Sequence, residues 1–342
     1  MELNDRMPLR YRGITWLMAL LGFAVMAISI WGCAAGQRPP ESGKAPAAGQ
    51  EGKDDRLLVV TTIFPYYDFV RQIAGDRVKL KLVVPAGMDS HSFEPTPADM
   101  IAMQEADVLI CNGGEMEQWV KKVLGSLDTS HMKVLTMMDY VDVVEEEHVE
   151  GMEEEEHRHE DGFEMHIEYD EHIWTSPVNA QAIVKIISRT LSEADPREES
   201  RFENNTQAYL KELKDLDSWF RQVVNQGRLH MIVVADKFPF RYFADEYGLS
   251  YRAAFSGCSG DTEPSARTIA YLIDKVKEDR IPAVYYLELS SHRTAEIIQE
   301  ETGAVPLLLH SCHNVTRKQF DEGVTYLQLM RQNVENLRYG LE

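Results

Sequence analysis

The chain has no basic patch. Its 35 Lys and Arg are outnumbered by 56 Asp and Glu in 342 residues, for a formal net charge of −21. Neutralising a phosphate backbone needs clustered cations, so nucleic-acid binding is excluded and cations are the ligands that the charge favours. The chain also has no His-Glu-x-x-His, since His159-Glu160 is not followed by a histidine three residues on. That argues against a zinc hydrolase of the helical-motif kind. Long apolar runs are limited to residues 14–30, and there are only four cysteines.

The apolar run follows Arg6, Arg10 and Arg12 and ends at Trp31-Gly32-Cys33-Ala34-Ala35. A basic start, an apolar middle and small residues at the end describe an export signal over 1–33. The Cys directly after Gly32 resembles a bacterial lipobox, which would make Cys33 a lipidated residue anchoring the chain to a membrane. The alternative is an uncleaved anchor, because 17 apolar residues stand at the short end of what crosses a bilayer. Residues 34–55, rich in Ala, Gly, Pro, Gln and charge, cannot bury a core and read as a flexible tether. Folding is expected from residue 56 onward, and the remaining length suffices for two α/β lobes.

Of the three later cysteines, Cys111 lies in an apolar run and reads as a buried thiol. Cys258 and Cys312 stand in loop-like contexts. In an exported chain they could pair as a disulfide, ligate metal or stay free.

From 56 onward, apolar runs of strand length alternate with helical patterns, which points to βα units and mostly parallel sheet. Strands are expected at 57–62, 78–84, 108–111 and 133–136, with helices at 66–74, 97–105 and 116–127. A helix over 178–193 follows Ser176-Pro177. Phe202, Tyr209, Leu213, Leu216, Phe220 and Val223 recur at helical spacing, so one long helix should link the lobes across 196–228. The second lobe, 229–342, is expected to repeat the alternation, with strands at 231–235, 251–255, 283–287 and 305–309 and helices at 265–279, 294–302 and 323–339. The first lobe is 56–195, with a site in the cleft between the two.

Two histidines fall in loops that abut helix starts: His91 in Met88-Asp89-Ser90-His91-Ser92-Phe93-Glu94-Pro95-Thr96-Pro97, and His172 in Asp170-Glu171-His172-Ile173-Trp174. Thr96 is a candidate N-cap with Pro97 at the first helical position. His91 would then lie at the carboxyl end of a sheet, where open α/β folds bind ligands. Imidazoles converging from separate loops, with carboxylates nearby, suit a borderline-soft divalent ion such as Zn²⁺. A lone histidine near a helix start is otherwise a cap or a solvent-facing group. Between the two, residues 145–171 hold 14 acidic residues against Arg158 alone, a net of −13, with His148, His157, His159 and His166 among them. So little apolar content predicts weak order.

The segments Thr61-Thr62-Ile63-Phe64-Pro65-Tyr66-Tyr67, Gly75-Asp76-Arg77, Val84-Pro85-Ala86-Gly87, His91 with Phe93-Glu94-Pro95-Thr96-Pro97, Asn112-Gly113-Gly114, His172-Ile173-Trp174 with Pro177-Val178-Asn179-Ala180, Glu263-Pro264-Ser265-Ala266 and Tyr326-Leu327-Gln328-Leu329-Met330 resemble the metal-binding solute-binding lipoproteins of ABC transporters. This is the zinc and manganese group called cluster A-I, or the ZnuA-like family, and the resemblance covers nearly all of 57–341. It implies two α/β lobes joined by a rigid long helix, with metal held between them, and no enzymatic step. It further implies a permease and ATPase as partners, a monomer tethered by lipid outside the cytoplasmic membrane, and for some members a role as a surface adhesin.

The resemblance also implies ligands. His91 and His172 match the family's first two histidines. Its third falls in the turn Ala235-Asp236-Lys237-Phe238, where this chain has Lys237, and a protonated Lys offers no lone pair. The family's late aspartate aligns with His310 in Leu309-His310-Ser311-Cys312-His313, so His310 is expected as the third imidazole. Asp236, Glu288 and His313 compete for the fourth place. Glu94 is expected to orient His91 or cap the helix from behind the ligands. Three imidazoles with an oxygen suit Zn²⁺ better than the alternative Mn²⁺. The acidic histidine loop would gather zinc weakly beside the cleft.

Overall fold

The computed structural model describes residues 54–153, 168–259 and 263–342. The signal segment with Cys33, most of the tether, and His157, His159 and His166 lie outside the described residues. Two parallel four-stranded sheets, both flanked by helices, make up the fold. In the first, β1 (Leu58–Thr61), β2 (Lys79–Leu82), β3 (Val108–Cys111) and β4 (Lys133–Thr136) lie in the order β2-β1-β3-β4. In the second, β5 (Met231–Val234), β6 (Ser250–Ala253), β7 (Ala283–Tyr286) and β8 (Val305–Leu308) repeat it as β6-β5-β7-β8. The expected α/β class and its two lobes are therefore present.

The helices of the first lobe start where the sequence provides a start signal. α1 (Phe64–Ala74) begins ahead of the expected residue 66 because Pro65 occupies its first turn, where a missing N–H costs nothing. α2 (Pro97–Gln104) is closed by a capping box in which Thr96 and Asp99 satisfy each other's backbone N–H. α3 (Gln118–Leu124) follows a single 3₁₀ turn. α4 (Pro177–Ala194) is capped by Ser176, whose hydroxyl accepts from Val178 and Asn179 N–H.

α5 (Glu199–Gln226) runs for 28 residues. It buries the stripe that the spacing predicted, with Phe202, Leu213, Leu216 and Phe220 removed from solvent. Each such side chain contributes roughly 2 kcal/mol of transfer free energy. α7 (Ala266–Asp279), α8 (Arg293–Thr302) and α10 (Tyr326–Leu341) agree with expectation apart from their ends. α6 (Arg241–Tyr247) and α9 (Arg317–Asp321) were not expected.

One apolar core runs through both lobes. It joins Val59, Val108 and Ile110 of the first sheet to Ile232, Val234 and Tyr285 of the second through Phe69, Ile183, Leu213 and Leu337. Separate smaller clusters back the far face of each sheet. The stem of the acidic segment also reaches the second lobe. Glu147 meets Tyr251 Oη at 3.1 Å, Glu146 accepts from Cys258 N–H at 3.0 Å, and Glu153 N–H donates to Ala254 at 2.9 Å. Among the described residues no helix is long and apolar enough to cross a membrane.

Candidate metal centre

The carboxyl ends of both sheets face one cavity of about 260 Å³, to which His91, His172, His313, Asp236, Lys237 and Glu288 all contribute. The loop after β2 supplies His91. The turn before α4 supplies His172, the loop after β5 supplies Asp236 and Lys237, the loop after β7 supplies Glu288, and the loop after β8 supplies His313. These are the strand ends at which open parallel sheets leave room for a ligand.

His172 is buried, and its setting is the most ordered of the three. Asp170 Oδ1 accepts its backbone N–H at 2.8 Å and stands 3.2 Å from its Nδ1. That contact leaves Nε2 as the nitrogen facing the cavity. Burial works against a protonated ring, but the Asp170 carboxylate outweighs it, and the pKa of His172 is raised. Gly257 makes room for this ring, since a Cβ there would stand 3.3 Å from His172 Cε1 and 2.9 Å from Phe238 O. His91 lies at the mouth with one edge exposed, and its backbone N–H is held by Asp89 Oδ1 at 2.9 Å. Desolvation on the cavity side, then His172, pushes its pKa down to about 4.

His313 completes the group. Its ring stacks on Trp174 with centroids 5.6 Å apart, and its Nε2 lies 2.6 Å from Ser90 Oγ. Trp174 is fixed in turn, because its Nε1–H donates to Ser311 O and its own carbonyl accepts from Tyr326, both at 2.8 Å. Burial and then the neighbouring histidines lower the His313 pKa. The His313 centroid is 6.1 Å from that of His91 and 6.3 Å from that of His172. Two imidazoles on one tetrahedral zinc stand about 5 Å apart by centroid, so the three rings are gathered but not drawn in. Accordingly, among the described residues no three or more His, Cys, Asp or Glu side chains stand, as placed, where they could hold a metal ion together.

His310, expected as the third imidazole, is not brought to this cavity. It is buried beneath the floor, its Nδ1 accepting from Cys312 N–H at 3.0 Å while Asn333 brackets its backbone at 2.8 Å on both sides. Its Nε2 is buried with no hydrogen-bond partner among the described residues. Cys312 adopts a left-handed φ of 61°, and this reversal turns the histidine after it, rather than the one before it, outward. Glu288 does line the cavity, but both its oxygens hold Ser311, through the backbone N–H at 2.8 Å and through the hydroxyl. Asp236 lines it as well, with Oδ1 accepting Lys237 N–H at 2.8 Å.

Glu94 is exposed and makes no hydrogen bond among the described residues, so Asp89 orients the His91 loop and the Thr96–Asp99 pair caps the helix. Cys258 and Cys312 are free thiols, which removes the expected disulfide. His148 is exposed on the acidic stem, outside the cavity. Sequence reasoning missed Asp89, Ser90, Asp170 and Trp174. The repeated Asp-x-His of Asp89-Ser90-His91 and Asp170-Glu171-His172 is the signal that could have found the two aspartates.

Twin parallel sheets whose strand ends converge on three imidazoles define a two-lobed α/β protein with a candidate metal cleft. The chain belongs to the ZnuA family, described as the zinc-uptake complex component A, periplasmic, whose profile matches residues 59–340. It is 34% identical over 292 residues to the zinc-binding lipoprotein AdcA of Streptococcus pneumoniae (strain ATCC BAA-255 / R6), covering 85% of this chain and 57% of that protein. It is 32% identical over 293 residues to the high-affinity zinc uptake system protein ZnuA of Bacillus subtilis (strain 168), covering 85% and 89%. The chain thus spans little more than half the length of the pneumococcal relative. The crystal structure of the Zn(II)-bound ZnuA-like domain of that AdcA superposes with a TM-score of 0.69 at 30% identity, covering 84% of this chain and 99% of that one.

Proposed function

We propose that this chain is the extracytoplasmic zinc receptor of an ABC transporter, capturing Zn²⁺ in the cleft and handing it to a membrane permease driven by an ATPase. The observation that carries the proposal is the meeting of His91, His172 and His313 at one cavity. Their chemistry fits the cargo. His91 and His313 are held neutral, His313 with its Nε2 engaged by Ser90 and its other ring nitrogen left to donate, and His172 is aimed by a carboxylate behind it, the arrangement that commonly orients zinc-binding imidazoles. An oxygen from Asp236, Glu288 or the adjoining Asp89 is the fourth donor on this reading. The zinc relatives support zinc as the cargo, and manganese is the alternative that the donor set favours less.

A capture site with four filled positions leaves no place for an attacking water, so no enzymatic step belongs to this function. Cys33 would carry the lipid that keeps a monomeric receptor on the outer face of the cytoplasmic membrane. The acidic segment with His148, His157, His159 and His166 would gather zinc weakly near the mouth. The test is zinc calorimetry with elemental analysis on wild type, His313→Ala and His310→Ala. One tight zinc is expected in wild type, a loss exceeding roughly 100-fold in affinity in His313→Ala, and little change in His310→Ala. The reverse order for the two variants would refute the assignment.

A further inference from the structure

Lys237 is the one cation in a wall that also carries the carboxylates of Asp89, Asp236 and Glu288. Its backbone N–H is taken by Asp236, but its ammonium has no hydrogen bond or ion pair among the described residues. A half-buried charge beside the carboxylates of Asp89 and Asp236 acts on whatever enters the cavity, and in a partly desolvated space it is screened less than at an open surface.

We propose that Lys237 sets the metal selectivity of this cleft, its ammonium opposing ions that bind through carboxylates, such as Mn²⁺, more than ions that bind through imidazoles, such as Zn²⁺. The inference rests on the receptor reading above and names what that reading leaves open, the basis of choice between two divalent ions.

The donors available to each ion carry the argument. An ion such as Mn²⁺ gains most from carboxylate oxygens, whereas Zn²⁺ gains from ring nitrogens. Every carboxylate on the wall has an oxygen already engaged: Asp89 with His91 N–H, Asp236 with Lys237 N–H, and Glu288 with Ser311. Recruiting Asp236 as a ligand brings the ion beside the side chain of the next residue, the ammonium itself. An ion seated on the imidazoles of His91, His172 and His313 needs only one oxygen, which Asp89 or Glu288 can supply without that approach.

The experiment measures Zn²⁺ and Mn²⁺ affinities of the metal-free chain by competition with a chromophoric chelator, for wild type, Lys237→Met, Lys237→Gln and Lys237→Arg. Thermal melts of the metal-free forms establish that each is folded, and two neutral variants of different polarity prevent one misfolded protein from deciding the result. In the neutral variants Mn²⁺ should bind at least about tenfold tighter, a change of about 1.4 kcal/mol, while Zn²⁺ changes less than about threefold. Lys237→Arg should keep the wild-type ratio. Equal gains for both metals, or an unmoved ratio in the neutral variants, overturn the inference and leave the receptor reading standing. Failure of wild type to bind zinc at all overturns the receptor reading, and the inference with it.

Discussion

Substituting Asp170→Asn isolates the charge behind His172. The amide oxygen can still accept the His172 backbone N–H, now at 2.8 Å, and still face Nδ1, now at 3.2 Å, so the loop keeps its shape while the carboxylate charge is lost. Opposite unit charges about 4 Å apart attract by roughly 4 kcal/mol at an effective dielectric constant of 20. Desolvation of this buried pair cancels part of that. What remains for a bound metal is the usual worth of a carboxylate behind a zinc-binding imidazole, about 10- to 100-fold in affinity or roughly 1.4 to 2.7 kcal/mol. The sign of the pH effect follows from the ring. Asp170 raises the His172 pKa above its ordinary value, so zinc must displace a proton that is held more firmly than usual, and affinity falls as pH falls through that raised pKa. In the Asn variant the ring loses its proton at lower pH, so its affinity starts lower but declines later. Zinc isotherms from pH 8.5 to pH 5.5 should therefore show two curves that converge on acidification. Equal affinities at the alkaline end, or parallel curves throughout, would refute this account of Asp170.

Three further outcomes are expected. Glu117 is buried, with one oxygen accepting Asn112 and Gly113 N–H at 2.6 and 3.0 Å, and desolvation pushes its pKa up to about 7. The folded state then holds a proton that the unfolded state releases near pH 4.5, so stability should fall as pH rises from about 4.5 to about 7, by at most on the order of 3 kcal/mol. Urea titrations of Glu117→Gln should lack that decline, and an identical pH profile in the variant would disprove the assignment. Leu213→Ala opens a cavity where α5 meets the shared core and should cost about 3 kcal/mol by chemical denaturation; a cost below about 1 kcal/mol would show that helix to be loosely seated. Alkylation of the unfolded, unreduced protein should label both Cys258 and Cys312, and mass spectrometry that finds them linked would contradict the free thiols.

Much of the fold was legible because the elements that matter carry strong local signals. The buried strands are unbroken apolar runs, α2 and α4 open on Thr96-Pro97 and Ser176-Pro177, and α5 keeps its stripe for about six turns. The short helices escaped for the opposite reason. α6 has seven residues and α9 has five, too few for a helical period to stand out. In the site, His91 and His172 were legible from their loops. His310 and His313 were not distinguishable by sequence, because which of two histidines three residues apart faces a cavity depends on the backbone between them. Here that backbone includes a left-handed Cys312, a conformation that residues other than Gly, Asn and Asp seldom adopt. The expected Cys258–Cys312 bond failed on a related point. Loop context says that a thiol could pair, but only three-dimensional placement says with what.

The apolar core that runs from one sheet to the other limits how cargo can enter and leave. Prying the halves apart would wet Phe69, Leu213 and Leu337 together, a cost that grows with every square ångström exposed. Traffic through the mouth must instead use the short segments at its rim. The segment after β7 is suited to that task, with Leu289 and His292 both at positive φ and Leu289 turned to solvent. On the receptor function proposed above, unloading would therefore act on a few rim residues, as one lifts a latch, leaving the frame undisturbed.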